Sequence, residues 1–320
     1  MIGNIQRVDA MYHLGFRKPA SVLKVLTVLA LTLTTFSVSL PASSQNIETL
    51  RNNNQAVILL YHHISTNTPP VTSIAPKDFQ LHMDYLSQNN FTILPLKRIL
   101  DDLQNGKELP DFTAAITFDD AYLSVYTEAF PVLQVLNWPF TIFVTTDLLE
   151  SNNKLYTTWT QIREMAEAGA TIANHTVGHP HFSSRNEDDS ESDWLESINN
   201  EITLAEAKIL QETGQSNRLL AYPYGEYDPR IQVLVQELGY IGFAQHSGPI
   251  NADSDFTALP RFPFSGIYVS MNTFPNKVKS LAFTLDSFTP ASPITTEMRP
   301  NAEVDFSPDI PRIEQLSCFN

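Results

Sequence analysis

The sequence predicts an α/β domain, expected as a closed or partly closed barrel, with an open doubly wound sheet as the alternative. Three observations point there. From residue 56 onward, short β-rich runs alternate with amphipathic segments. Most of those runs are continuously apolar, as strands covered on both faces are. The chain has 320 residues, 42% hydrophobic and 17% charged, enough for one large core with a small appendage.

Residues 1–44 precede that domain and differ from it. Arg7, Arg17, Lys18 and Lys24 lead into the apolar run "VLTVLALTLTTFSVSL", which ends in "PASSQ". A basic region, an apolar stretch and small residues near a cut describe a secretory signal, with Gln45 expected as the mature start. The run is shorter than the roughly 20 residues a membrane span prefers. Cleavage is therefore favoured over an uncleaved anchor, and the protein is expected outside the cytoplasm, periplasmic or extracellular. Residues 45–55 read as a linker.

The expected strands are then "AVILLY" (56–61), "FTIL" (91–94), "AAITF" (114–118), "FTIFVT" (140–145), "TIAN" (171–174), "LLAYP" (219–223) and "IGFAQ" (241–245). Helices are expected between them. One opens at Pro76 and Asp78 and carries Phe79, Met83 and Leu86 on one stripe. Others run from about Ala121 to Leu136, from Asp193 to Glu212, and from Asp228 to a stop at Gly239. The domain is bounded at 56–275. Residues 276–320 are a proline-rich extension that reads as the start of a β-type element.

Composition narrows the partners. Cys318 is the only cysteine, so no intramolecular disulfide forms and the fold relies on its core or a metal. Without residues 1–44 the chain keeps 16 basic and 34 acidic residues, a net of −18. Such a surface repels nucleic acid and anionic lipid. No nucleic-acid partner is expected, and membrane contact only through an uncleaved leader.

Function in α/β barrels and open sheets gathers at the carboxyl ends of strands. Here those ends hold His62 and His63, Asp119 and Asp120, Asn174 and His175 with His179 one turn on, "AYPYGEYD", and Gln245 with His246. Two histidines and one carboxylate make a three-ligand metal site with positions left open, the catalytic kind. Of two adjacent aspartates, one can ligate the ion while the other acts as a base near neutral pH. Helix capping at Ala121 is the plainer use for that pair. His181 reads as supporting or surface, not as a ligand.

The ordered set "TFDD" (117–120), "HTVGH" (175–179) and "YPYGEY" (222–227) resembles the polysaccharide deacetylases of the NodB-homology type, carbohydrate esterase family 4, closest in pattern to the branch acting on poly-N-acetylglucosamine. The likeness spans about residues 56–265. It implies a distorted (β/α)7 barrel, here with a short C-terminal β-type extension. It implies that Asp119 is the general base and that Asp120, His175 and His179 bind the metal, zinc by default. The substrate would be an N-acetylated amino-sugar polymer, losing its acetyl groups as acetate.

Two departures shape the remaining expectations. Many members carry an arginine before Pro-Tyr-Gly, where this chain has Ala221 and Tyr222; Arg261 is expected to supply the charge and orient Asp119. Many also end on a histidine that protonates the leaving amine, and none lies beyond His246 here. His246 and His62 are the candidates. Tyr222, Tyr224 and Gly225 are expected at the sugar, with the Tyr224 N–H as oxyanion donor. A non-catalytic polysaccharide-binding scaffold is the alternative. A two-carboxylate glycosidase using Glu226 would leave the histidine pair without a purpose.

Overall fold

The computed structural model describes residues 54–151, 153–185, 188–280 and 282, with the backbone of 285–289 and 303–306. The expected leader (1–44), most of the linker, Cys318 and most of the proline-rich extension lie outside the described residues. Among the described residues, no helix is long and apolar enough to cross a membrane.

Seven parallel staves form the barrel. They are β1 (Gln55–Tyr61), β2 (Thr113–Asp119), β3 (Thr141–Val144), β4 (Thr171–Asn174), β5 (Leu219–Ala221), β6 (Ile241–Phe243) and β7 (Phe262–Pro263). β1 to β6 pair in sequence order, each parallel to the next. The ring closes through the segment leading into β7. Leu259 bridges Phe243 of β6, and Phe262 and Pro263 pair with Leu59 and Leu60 of β1. The curled α/β barrel expected from sequence is the fold observed.

The seventh stave is not the one the apolar runs indicated. "FTIL" forms only the short strand Thr92–Ile93, which pairs with the start of β2 below β3. The closing stave lies in "ALPRFPF", whose two prolines argue against a central strand. Pro260 and Pro263 lack N–H groups, yet the ladder continues through their neighbours. Leu259 and Arg261 donate to Gly242 and His246 at 2.8 and 2.9 Å, and Phe264 donates to Leu60 at 2.9 Å.

Strand side chains alternate in direction, which separates the barrel interior from the packing on its outer face. Ala56, Ile58, Ala115, Phe143, Ala173, Leu219, Ala221 and Phe243 fill the barrel, with Ile99, Leu100 and Leu103 of the helix Leu96–Gln104 packed against them. Leu59, Tyr61, Ile116, Phe118, Ile142 and Ile172 pack outward on the helical layer, including Phe79, Met83 and Leu86 of Pro76–Gln88. The longest helix, Glu191–Thr213, opens on a Ser190–Asp193 capping box and stops at Gly214 in the left-handed region. The helix expected over 121–136 starts two residues later. Asp120 and Ala121 take φ of 67° and 55°, so the helix begins at Leu123 and runs to Leu136, with a wider π-helical segment at Val125–Ala129. Leu285–Thr289 and Glu303–Phe306 pair antiparallel, the β-type extension expected near the C-terminus.

Candidate active site

The alternation that builds the core also aims the site. Going two residues past each inward position gives Thr117 to Asp119, Ala173 to His175, and Leu60 to His62. Asp119 and His175 are accordingly buried at the carboxyl end of the barrel. Asp120 has the opposite parity. Its left-handed backbone, φ 67°, turns it back toward the histidines.

Asp119 and Arg261 form a two-point ion pair, Nη1 to Oδ1 and Nη2 to Oδ2, each at 2.7 Å. Arg261 Nε also donates to the Ala244 carbonyl at 3.0 Å, and its guanidinium lies 5.2 Å from the Phe143 ring centre. Burial by itself would raise the Asp119 carboxyl. The Arg261 charge and its hydrogen bonds more than reverse that and hold it below the usual carboxylate range.

Asp120 Oδ1 lies 3.3 Å from His175 Nε2 and 3.4 Å from His179 Nε2, and the two Nε2 atoms are 3.1 Å apart. His175 Nδ1 is 2.8 Å from the Ala221 carbonyl, which can only accept, so Nδ1 carries a proton and Nε2 is the atom turned to Asp120. Two imidazole nitrogens and a carboxylate oxygen converging this closely need a proton or a cation between them. These are suitable donors for a divalent transition metal, and they are the group able to hold one among the described residues. Burial and the neighbouring His175 charge push His179 down to about 4, so it offers a neutral ring near neutral pH.

The histidine loop is held from outside the barrel. Glu201 accepts the Val177 and Gly178 N–H groups at 3.0 and 2.8 Å, and Asn174 accepts that of Thr176 at 2.8 Å. Thr176, His179 and Tyr224 all have positive φ, 70°, 57° and 57°. Strained backbone concentrated in one place is characteristic of a functional site.

Other expected residues divide between those the fold brings here and those it does not. Tyr224 is half exposed, edge-on to His179 with ring centres 4.5 Å apart, and stacked on His181 at 3.8 Å and 8°. His181 pairs with Glu226 at 2.9 Å and holds the rim. Gly225 has φ 70°, and an added Cβ would come within 3.0 Å of Gln245 Cβ, so the turn requires glycine. Tyr222 is corrected: it continues the outward parity of Leu220, is wholly buried, and donates its hydroxyl to Thr257 at 2.7 Å. It cannot reach a sugar. His246 stands apart from the metal-type cluster. It lies exposed in the bend after β6, and its neighbours are Tyr227, 6.4 Å between ring centres, and Asp255. His62, past the end of β1, is near enough for its charge to act on Asp119, Asp120 and His179. Tyr122 and Tyr156 also border Asp120. Sequence reading missed both, although Tyr122 lies two residues past "TFDD".

Residues 106–243 match the polysaccharide deacetylase family. YxkH of Bacillus subtilis (strain 168) is 28% identical over 207 residues, 64% of this chain and 69% of its own length. The poly-β-1,6-N-acetyl-D-glucosamine N-deacetylase of Staphylococcus epidermidis is 24% identical over 282 residues, covering 80% and 96%. The Escherichia coli (strain K12) protein of the same name is matched over only 31% of its length, at 23% identity. In fold, the chain resembles Streptococcus pyogenes deacetylase PplD, solved with acetate, with a TM-score of 0.62 at 23% identity over 70% of this chain and 98% of that one. Across residues 106–243 the chain therefore carries a polysaccharide deacetylase domain.

Proposed function

We propose that this chain is an exported, metal-dependent N-deacetylase of an N-acetylglucosamine polymer, of the poly-β-1,6 type named for its staphylococcal relative. By its domain it is a hydrolase of carbon–nitrogen amide bonds. One observation carries the reading: an Arg261-held Asp119 beside converging Asp120, His175 and His179, at the open end of the barrel. Zinc is the ion we assign, because two imidazoles and one carboxylate suit it. Export rests on the leader-like residues 1–44, ahead of a catalytic domain assigned to 56–275.

The ion supplies Lewis acidity toward the acetamide carbonyl and toward water. The chain supplies the rest. Asp119 takes the proton from the attacking water, using carboxylate lone pairs that Arg261 leaves free. Within the Tyr222–Glu226 turn, Gly225 donates to Tyr222 and Glu226 to Pro223, and prolines have no N–H, so Tyr224 N–H is the donor we assign to the oxyanion. The Tyr224 ring, braced by His181, offers an apolar face to the sugar. We assign to His62 the proton delivered to the departing nitrogen as the C–N bond breaks, releasing acetate and a free amine.

The test is acetate release from β-1,6-linked N-acetylglucosamine oligomers by protein lacking residues 1–44, metal-stripped and then zinc-reloaded, beside Asp119→Asn. Zinc-restored release that is absent in the variant is expected. One bound equivalent of zinc with no release from any oligomer would leave a binding scaffold instead.

A further inference from the structure

The two histidines of "HTVGH" have the spacing of a helical turn, yet no helix holds them. Four consecutive N–H groups, from Thr176 to His179, each end on a side-chain oxygen instead. Thr176 donates to Asn174 Oδ1 at 2.8 Å and His179 to Thr176 Oγ1 at 3.0 Å, both partners lying in the same stretch of chain. Val177 and Gly178, midway between the histidines, donate to one and the same atom, Glu201 Oε2, at 3.0 and 2.8 Å.

The loop carbonyls are gripped from the other side. That of His175 accepts from Thr145 Oγ1 at 3.1 Å, and those of Thr176 and Val177 accept from the Thr146 and Asp147 N–H groups at 3.2 and 3.0 Å. Asn174 is wholly buried and donates to the Ile202 carbonyl at 2.8 Å, so the loop is tied to two adjacent residues of the helix Glu191–Thr213. The clamp opposes strain. Thr176 and His179 keep φ of 70° and 57° without being glycine, and such backbone persists only where its surroundings over-determine it. Glu201 is the side chain that reaches the middle of that strained stretch from another element.

Resting on the metal reading above, we propose that Glu201 is a positioning residue for the metal centre, locking the loop that carries His175 and His179. By holding the Val177 and Gly178 N–H groups it fixes the peptides that join the two rings, and so their convergence, Nε2 to Nε2 3.1 Å, beside Asp120. Ligands set in advance bind an ion without first ordering their loop. Loss of such outer support typically weakens metal binding about 10- to 100-fold.

The experiment is a zinc competition titration of the protein against a chromophoric chelator, with the cobalt(II) absorption spectrum read in parallel and the folding of each metal-free variant checked by circular dichroism. Glu201→Gln keeps an oxygen able to accept both N–H groups and removes the charge. Glu201→Asp keeps the charge and draws the oxygen back by one methylene, and Glu201→Ala removes both. The Ala and Asp variants are expected to weaken zinc binding about tenfold or more and to shift the cobalt bands. The Gln variant should stay within about threefold of the parent and keep its spectrum. Unchanged binding and spectrum in Glu201→Ala would overturn the positioning role. So would a Gln variant as weak as Ala beside an unaffected Asp variant, since the effect would then belong to charge. Asp120→Ala separates the two ideas: it should lose binding, and unchanged binding there would overturn the metal centre, and this role with it.

Discussion

Arg261 and Asp119, 142 residues apart in sequence, meet as a fully buried two-point ion pair with both contacts at 2.7 Å. Arg261 comes from the stave that closes the barrel and Asp119 from β2. The pair ties closure of the fold to the carboxylate assigned as base.

Removing one partner strands a buried charge. Arg261→Met should cost about 3–5 kcal/mol and abolish acetate release. The double variant Asp119→Asn with Arg261→Met should recover much of that stability and none of the activity. Urea titrations of the four proteins measure the coupling; additive losses would show that the pair does not act as a unit.

Replacing His62 and His246 separates two candidates for the leaving-group acid. His62→Gln should lower kcat about 100-fold or more with little change in KM, as loss of an acid does. His246→Gln should leave kcat within about twofold. The reverse order of effects would restore His246 to the reaction.

The two tyrosines of "YPYG" should respond differently. Tyr224→Gly suits the backbone, since φ is 57°, and removes only the ring. KM for oligomers should rise about tenfold, for a loss of roughly 1.4 kcal/mol in binding, with the fold intact. Tyr222→Phe loses the bond to Thr257 and should cost about 1 kcal/mol of stability without altering KM.

Acid should loosen the fold well before the carboxylates titrate. His82 Nε2–H donates to Val269 at 2.9 Å and Nδ1 accepts from the Tyr61 hydroxyl at 3.0 Å, so the ring is held neutral. Burial, with Lys277 nearby, pushes it down to about 4, and burial beside His62 does the same to His63. The unfolded chain takes up these protons near the ordinary value of 6.5. Between about 6.5 and 4 the unfolded state therefore binds more protons, and stability falls as pH falls; above 6.5 these groups contribute no slope. Thermal midpoints across that window check the direction, and His82→Phe should flatten part of the slope.

The local sequence carried the barrel's strand-and-helix order, because continuous apolar runs and helix caps are short-range signals. It also carried the chemistry of the site. "FDD" and "HTVGH" bring carboxylates and imidazoles to strand ends, and a two-residue period predicts inward aim for Asp119 and His175. The same period turns Tyr222 outward with Leu220. What sequence did not decide depends on partners far apart in the chain. The closing stave looks like a proline-broken loop until β6 and β1 supply its ladder. Asp120 reaches the histidines only through a left-handed turn that its local sequence does not demand. Tyr122 and Tyr156 become neighbours because two loops zip together. Periodicity acts within a few residues and can be read from one strand. Ring closure and ion pairing require atoms that only the folded chain brings within 3 Å of each other, and there the tertiary structure alone decided.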